Sequence, residues 1–540
     1  MNAFQTQVDR ESNGYRANRD DMLGLVEQLR RYEARAEALS EKRRDTFLQR
    51  GQLTPRERVA RLLDPGLPFL ELYNLANFLV EDANRETSVP GASMVCGIGF
   101  VSGVRCLVVA DDSGINAGAV TPMSVPKILG AMDIALAHKL PFIHLVESAG
   151  ANLLQYAVDT WAHGGGLYYR RALMSAAGLP TLSVLHGLST AGGAYQPGLS
   201  DYVVGVKRNG MAALGGSALV RAATGEIADD RELGSSEMHA SVSGLVEYLA
   251  EDDADALRIA REIMASLDWN RHCPPQSRTA VVPPLHDPDE IPGIAAVDYR
   301  KPYDVREVVA RLVDGSEFLD FKPRYGGSTV CLQARVFGHA CGIVGNNGPI
   351  DPAGATKAAQ FMQLCDQSQM PLVFLNNTTG FMVGKEYERG GMIKHGSKMI
   401  QAVSNVRVPR IAFYIGASFG AGNYAMCGVG FKPDFLFAWP NAYTGVMGGE
   451  QAAGTMEHVA RVAAKRRGIE PDEAALAKQR AAVVAHFDRQ SDAFYTSGRC
   501  LDHGVIDPRD TRRVLGFVLD TVWEGRHRHV QPNAFGVGRM

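Results

Sequence analysis

The sequence predicts an α/β protein built from two duplicated domains. The first observation is a pair of matching segments, residues 186–195 and 415–424, each of which follows an apolar run of strand type. Their glycine, serine and tyrosine positions correspond at a constant separation of 229 residues. The second observation is that strand-like apolar runs alternate with helical patterns in both halves, which is typical of layered α/β domains.

The correspondence between the two halves continues along the chain. The further matched segments are 61–64 with 311–314, 69–71 with 318–320, 141–147 with 371–377, and 215–216 with 448–449. A period of this length is far longer than a solenoid repeat. We therefore expect each half to fold around its own core.

Four parts are expected along the chain. They are an N-terminal helical segment (1–50), an N-terminal domain (51–272), a linker with seven prolines (273–303) and a C-terminal domain (304–540). Amphipathic spacing predicts a helix over 19–50. Thr54, Pro55 and Glu57 predict the start of the next helix, because they form a capping box with proline in the first turn.

The remaining elements follow from short apolar runs and longer amphipathic ones. The predicted strands of the first half lie near 97–101, 104–110, 142–146 and 182–185, and the predicted helices of the chain lie near 125–139, 166–177, 355–366 and 471–505.

Composition narrows the class of protein. The 540 residues include 56 basic and 59 acidic side chains, and this near balance argues against non-specific nucleic-acid binding. No apolar run reaches the roughly 18 residues of a membrane span, and the first residues lack a signal-peptide pattern. The eight scattered cysteines indicate reduced thiols. We expect a cytoplasmic protein that binds neither nucleic acid nor membrane.

The two matching segments are the best candidates for chemistry. Small residues at the junction of a strand and a helix let a ligand oxygen approach backbone N–H groups, and the helix start adds positive potential. Two such junctions suggest two oxyanion holes. The alternative is that the small residues only allow strand and helix to pack closely. Histidine spacing indicates no metal site, and Ser148 and Ser189 lack a nucleophile-elbow context.

Five separated motifs carry a resemblance to a known family. In chain order they are TAGGAY (190–195), AATGE (222–226), TGFMVG (379–384), GAGNY (420–424) and VMGGEQ (446–451). Together they resemble the carboxyltransferase (β) subunits of biotin-dependent acyl-CoA carboxylases. The GNY and GGEQAA segments favour the methylcrotonoyl-CoA and geranyl-CoA branch over the propionyl-CoA branch. The sequence departs from the family pattern at Glu147, Ala149 and Ala425.

The resemblance implies a crotonase-like (ββα spiral) fold in each half. The N-terminal half would hold the acyl-CoA thioester substrate and the C-terminal half the biotin, at a dimer interface that pairs opposite halves. Biotin would be attached to a partner α subunit that has biotin carboxylase and carrier functions. The assembly would contain a hexamer of β subunits, and no metal is implied.

The resemblance also implies roles for residues in the two turns. The N–H groups of Ala421 and Gly422 would stabilise the biotin oxygen, and those of Gly192 and Gly193 the dienolate of the thioester. The other implied substrate contacts are Ala149, Gly150, Gly164, Ala191, Tyr195 and Phe381, and the other implied biotin contacts are Phe419, Gly420, Asn423 and Tyr424. The alternative for Tyr195, Phe381 and Tyr424 is that they are aromatic residues of the core. Arg56, Arg58, Lys127 and Lys207 are candidate partners of CoA phosphates.

Substrate choice depends on one position. Methylcrotonoyl-type relatives carry phenylalanine where this chain has Gly164, so the missing ring predicts room for the longer tail of geranyl-CoA. Methylcrotonoyl-CoA remains the alternative substrate, and Gly164 could also simply open a turn. A crotonase-type hydratase, a decarboxylase of glutaconyl-CoA type and a non-catalytic scaffold are further alternatives. The duplication and the intact turns count against the hydratase and the scaffold.

Overall fold

The structure is a computed structural model that describes residues 3–151 and 157–538. Its packing divides the chain into two units. The N-unit contains Arg30–Gln276, Gly498–Cys500 and the chain from Asp520 onward. The C-unit contains the chain up to Leu29, Ser277–Ser497 and Leu501–Leu519.

The ends of the chain therefore belong to different units than the predicted parts suggest. Near the N-terminus, the Thr6 hydroxyl donates to Glu307 Oε2 at 2.6 Å within the C-unit. Near the C-terminus, Arg528 Nη1 donates to the carbonyl of Trp269 at 2.7 Å within the N-unit. The predicted linker also contains a short helix whose four residues are buried in the C-unit.

Helices occur in both units. In the first part of the chain they are α1 (Asn13–Glu41), α2 (Arg44–Gln49), α3 (Pro55–Leu62), α4 (Ser124–His138), α5 (Val158–Gly164), α6 (Gly166–Ala176), α7 (Tyr195–Gly198), α8 (Ser217–Thr224), α9 (Asp230–Gly234), α10 (Ser236–Met238) and α11 (Asp253–Ser266). Further along they are α12 (Ile291–Ile294), α13 (Val305–Val309), α14 (Pro352–Gln367), α15 (Lys385–Arg389), α16 (Met392–Asn405), α17 (Gly420–Ala425), α18 (Gly449–Arg466), α19 (Glu473–Ser491), α20 (Ala493–Gly498) and α21 (Thr511–His527).

Each unit contains one mixed sheet. The strands of the N-unit are β1 (Leu70–Glu71), β2 (Met94–Val101), β3 (Val104–Asp111), β4 (Phe142–Ser148), β5 (Thr181–Thr190), β6 (Tyr202–Val206), β7 (Met211–Ala213) and β8 (Tyr248–Ala250). Those of the C-unit are β9 (Phe318–Asp320), β10 (Thr329–Val336), β11 (His339–Asn346), β12 (Leu372–Thr378), β13 (Arg410–Phe419), β14 (Phe435–Ala438) and β15 (Tyr443–Gly445).

The two sheets have the same strand order except that β8 extends the first, and this correspondence confirms the predicted duplication. The first runs β1-β2-β3-β4-β5-β6-β8 and the second β9-β10-β11-β12-β13-β14. In each, an antiparallel hairpin (β2–β3 or β10–β11) is followed by parallel strands. Each also has an extra short strand, β7 on β5 and β15 on β13.

The two hairpins, β2–β3 and β10–β11, have loops of the same structure. The two-residue loops at 102–103 and 337–338 have positive φ at both positions, as the twist of a tight hairpin requires. The carboxylate of Asp64 accepts both N–H groups of the first loop, at 2.9 and 2.6 Å. Asp314 does the same in the second loop, at 3.0 and 2.7 Å. This explains why the 61–64 and 311–314 segments match.

A register shift interrupts both sheets at the same place. In the N-unit, Val146 pairs with Leu185 but Ser148 pairs with Ser189, so β5 has an extra loop of backbone. The C-unit shows the same shift between β12 and β13. Below the shift β5 pairs with β6, and above it with β7. The end of each long strand is therefore held by a separate short ladder.

Candidate active site

The first glycine turn (residues 190–195) begins where β5 ends. Ala191 has a left-handed backbone with φ of 53°, and the chain then makes one 3₁₀ turn over Ala191–Ala194 before α7. An alanine in this region costs roughly 1–2 kcal/mol, so the surrounding packing imposes the conformation.

The second glycine turn (residues 419–424) repeats this path at the end of β13. Gly420, the counterpart of Ala191, is also left-handed with φ of 55°, and α17 starts there. The first N–H groups of a helix have no intrahelical acceptor, and the helix start favours negative charge. Both turns therefore present donors to an anionic oxygen.

Side-chain atoms are excluded from the turns by close contacts. A Cβ atom on Gly192 would collide with the hydroxyl of Tyr168, and one on Gly422 would lie only 2.8 Å from Gly380 Cα. A Cβ on Gly193 would be 3.1 Å from Ser189 Oγ, which is tight but less severe. Glycine is thus required by space in both turns.

A second loop borders each turn. Gly150 and Gly380 both have positive φ, and the N–H of each donates to the hydroxyl two residues earlier, Ser148 or Thr378. A Cβ on Gly150 would meet the carbonyl of Thr190 at 3.7 Å, so this loop lies against the first glycine turn. Each candidate hole is thus assembled from two duplicated loops.

Helices α5 and α6 reach the first glycine turn from the side. Gly165, between them, keeps helical dihedrals, so Gly164 and Tyr168 lie on one face, one turn apart. The Tyr168 hydroxyl donates to the carbonyl of Gly192 at 2.9 Å. Its ring meets that of Tyr195 edge-on, with 5.7 Å between centroids. Gly164 therefore lies on the helix face that contacts this turn.

A buried ionic network lies behind the first glycine turn. Arg58 bonds Glu147 at 2.5 Å and Asp253 at 2.8 Å, and all three side chains are buried. His186 Nδ1 contacts Asp253 at 2.8 Å, and burial lowers the pKa of His186. Gln52 donates to Glu147 and to the carbonyl of His186. Glu147 passes so close to Gly187 that a Cβ there would collide with it.

The network behind the second glycine turn is neutral. The Asn423 amide donates to Tyr414 Oη at 3.0 Å and to Ser418 Oγ at 2.8 Å. Ser418 in turn donates to Asn376 Oδ1 at 3.0 Å. Where Glu147 passes Gly187 in the N-unit, Asn377 passes the equivalent glycine here.

Comparison with known proteins decides the family. A model of the carboxyl transferase domain matches residues 47–536. This chain belongs to the carboxyl transferase domain family.

Individual relatives of this carboxyl transferase align with it over nearly their whole length. A probable biotin-dependent acyl-coenzyme A carboxylase beta2 subunit of Mycobacterium tuberculosis is 47% identical, covering 99% of this chain and 100% of the relative. The biotin-dependent 3-methylcrotonyl-coenzyme A carboxylase beta1 subunit of the same organism is 45% identical over 93% and 94%. The crystal structure of the geranyl-CoA carboxylase beta subunit of P. aeruginosa has a TM-score of 0.92 and 48% identity, with both chains fully covered.

These findings confirm the sequence-based family and fold. The chain is an enzyme subunit, a carboxyltransferase of the acyl-CoA carboxylase type. Its two crotonase-like α/β domains are as predicted. Within the described residues no group of three or more acidic, histidine or cysteine side chains could hold a metal ion, and no helix there is long and apolar enough to cross a membrane.

The predicted carboxyltransferase site residues differ in what they present. Gly192, Gly193, Ala421 and Gly422 contribute backbone, and Ala149, Gly150, Ala191 and Gly420 shape the adjoining loops. By contrast, the Phe419 side chain is buried with its ring 5.3 Å from that of Tyr299, and the Asn423 amide is bonded inward. Both side chains therefore point into the protein.

The aromatic candidates lie at the surface and edge of the turns. Tyr195 and Tyr424 are about half exposed, at 49% and 52%, and Tyr424 stacks on Phe431. Phe381 packs against Gly396 of α16. These three side chains are therefore positioned at the borders of the two turns.

Two of the candidate phosphate partners are wrong. Arg58 is buried in the ionic network, and Lys127 is fully buried and donates to the carbonyls of Gly91 and Met94. Lys357, 230 residues after Lys127, is likewise buried and bonded to two carbonyls. Lys127 is thus a duplicated structural residue. The correspondence between Lys127 and Lys357 is visible in the sequence.

Sequence reasoning also missed Tyr168 and the ionic network. Glu147 and His186 each stand at the end of an apolar strand run, which is a signal for a buried, paired charge. Their partners Arg58 and Asp253 are too distant in sequence to be identified by spacing.

Proposed function

We propose that this subunit transfers the carboxyl group of carboxybiotin, carried by a partner subunit, to the γ-carbon of geranyl-CoA. The observation that supports this is the pair of duplicated turns, each of which starts a helical turn without a side-chain cap and is bordered by a second glycine loop. Two separate oxyanion sites suit a reaction in which two oxygens acquire negative charge at different stages.

The second glycine turn fits the flat ureido group of biotin. The Gly422 position admits no side chain, and Ala421 beside it is exposed. Bound biotin would supply a carrier of carbon dioxide and a basic nitrogen. The chain's own part would be to hold the ureido oxygen with the N–H groups of Ala421 and Gly422.

The first glycine turn fits the thioester carbonyl of an acyl-CoA. The N–H groups of Gly192 and Gly193 would hold the oxygen on which the dienolate charge develops, and one such donor is typically worth about 3–4 kcal/mol. Glu147 and Asp253 are buried and bonded to Arg58, so we assign them no proton transfer.

Geranyl-CoA is proposed over methylcrotonoyl-CoA because of Gly164. Relatives of both kinds share nearly half of their residues with this chain, so overall identity does not separate the two substrates. Gly164 and Tyr168 lie on the same helix face, and Tyr168 contacts the turn. Among the described residues, the nearest atom to a Cβ on Gly164 would be Val125 Cγ2, at 4.0 Å. This spacing favours a longer tail. Methylcrotonoyl-CoA remains the second candidate.

The test compares wild type with Gly164→Phe in a complex with a biotinylated partner subunit, supplied with ATP and bicarbonate. We expect kcat/KM for geranyl-CoA to fall by a factor of about 100, since several buried methylenes at roughly 0.8 kcal/mol each would be displaced. Methylcrotonoyl-CoA turnover should survive. Equal losses for both thioesters would show that Gly164 does not set tail length.

One control addresses the reaction itself. The subunit should be inactive when both the partner subunit and free biotin are left out, and activity under those conditions would refute the proposed function.

We further propose a hexamer of this subunit within the complex, which light scattering of the purified protein would check.

A further inference from the structure

Arg171 is a fully buried cation on α6, next to the first glycine turn. It follows Tyr168 by three residues and Gly164 by seven, so all three lie on one face of the α5–α6 helical segment. Tyr168 contacts the turn itself, and Arg171 contacts α7, which continues from it. The proposed role of Gly164 on this face does not use the charge of Arg171.

Neutral side chains hold the guanidinium group. Arg171 Nη2 donates to Gln196 Oε1 at 2.9 Å, and Gln196 is the second residue of α7. The same nitrogen lies 3.4 Å from His144 Nδ1, while His144 Nε2 lies 3.2 Å from Asp111 Oδ1. This arrangement suits a neutral imidazole that donates to Asp111 and accepts from Arg171.

The charge is under-compensated. Among the described residues no carboxylate bonds the guanidinium, and its Nε and Nη1 atoms are buried without an acceptor. Its carbon lies 4.6 Å from the ring centre of Phe142. Burial lowers the pKa of Arg171 to about 10, against the opposing effect of Asp201 and Asp111. The group therefore stays charged at neutral pH.

Within the part of the chain that the structure describes, the corresponding helix of the C-unit buries no cation. Helix α16, which occupies the corresponding place before β13, buries Met392, Gly396, Met399, Ala402 and Val403. The helix beside the first turn thus buries a weakly neutralised cation, whereas the helix beside the second turn buries apolar residues. This difference is large in energy, because an unpaired buried charge costs several kcal/mol.

We propose that Arg171 is a positioning residue for the first glycine turn, holding α7 through Gln196 and adding positive potential where an acyl oxygen becomes negative. This deepens the proposed function and depends on it. Charge held in a low-dielectric region acts over longer distances than in water. Arg171 would thus assist enolate formation without contacting the substrate.

The test uses Arg171→Lys and Arg171→Met in the holoenzyme, each measured relative to wild type from pH 6.5 to 8.5. We expect Arg171→Met to lower kcat for geranyl-CoA carboxylation by about tenfold to a hundredfold, as for loss of an electrostatic contributor. Decarboxylation of carboxybiotin without acyl-CoA should be unchanged, because it depends on the other turn.

The lysine variant separates charge from packing. Burial lowers the pKa of a lysine at this place, so its charged form is lost as pH rises. We expect the ratio of Arg171→Lys to wild-type kcat to be highest at pH 6.5 and to fall toward pH 8.5. The other titratable groups near this side chain are Asp111, His144, Asp201 and Tyr168, and they are the same in every variant.

Three outcomes would overturn the proposal: full acyl-CoA activity in Arg171→Met, equal loss of both half-reactions, or a lysine variant with a flat pH ratio. Thermal unfolding of each variant identifies a general loss of folding. If the wild type itself failed to carboxylate any acyl-CoA, the proposed function would fail first, and the decarboxylation assay would then report on the second turn alone.

Discussion

The two glycine turns share a backbone and differ in what supports it. Both follow a register shift, begin with a left-handed residue and end in a helix start. Behind the first turn lie Arg58, Glu147 and Asp253 as a buried ionic cluster, whereas the second is backed by amides and hydroxyls. Duplication has kept the backbone geometry of the turn, and the electrostatics around it have diverged.

The two turns are therefore not expected to be interchangeable. A backbone hole fixes where an oxygen sits, but the charges around it decide how much negative charge it tolerates. The first turn has a cation, Arg171, on one side and the paired charges around Arg58 on the other. The second turn relies on neutral dipoles. Variants at matched positions distinguish the two turns.

The largest effect is expected from blocking each hole in turn. Gly193→Val should abolish acyl-CoA carboxylation, a loss of more than about a thousandfold, because the added methyl groups occupy the donor face. It should spare slow decarboxylation of carboxybiotin without an acceptor. Ala421→Val should stop both reactions. If both variants lost only acyl-CoA turnover, the second hole would not serve biotin.

A second comparison removes the support behind each turn. Arg58→Met leaves Glu147 and Asp253 buried without a cation, so the free energy of unfolding should fall by about 3–5 kcal/mol. Asn423→Leu, the matched change in the neutral network, should cost only about 1–3 kcal/mol. Urea titrations at pH 7.5 would measure both.

The pH dependence provides a check on the Arg58 variant. Its unpaired carboxylates should bind protons more readily than in the wild type, so its deficit in stability should shrink as the pH falls from 7.5 to 5.5. A deficit that is constant over this range would mean that lost packing, and not lost charge pairing, causes the destabilisation.

The smallest effect tests the left-handed residue of each turn. Ala191→Gly should raise the free energy of unfolding by about 0.5–1 kcal/mol, because it relieves positive φ, and Gly420→Ala should lower it by a similar or larger amount. Differential scanning calorimetry can resolve the two signs. Equal signs would contradict the common geometry of the turns.

Much of this architecture could be predicted from the sequence. Small residues after an apolar strand, repeated 229 residues later, located both turns and the duplication. The directions of side chains could not be predicted, because a shift of one residue in helix phase decides whether Asn423 faces a ligand or the core. The ionic network was also out of reach, since Arg58 and Asp253 are 195 residues apart.

The register shift separates the end of β5 from the rest of its sheet. Residues 188–190 pair with β7, while residues 182–185 pair with β6, so the last three residues of β5 belong to a ladder of their own. The hydrogen bonds that hold the end of β5 are therefore separate from those between β5 and β6. Each glycine turn thus follows a strand end that has its own short ladder, β7 on β5 in the N-unit and β15 on β13 in the C-unit.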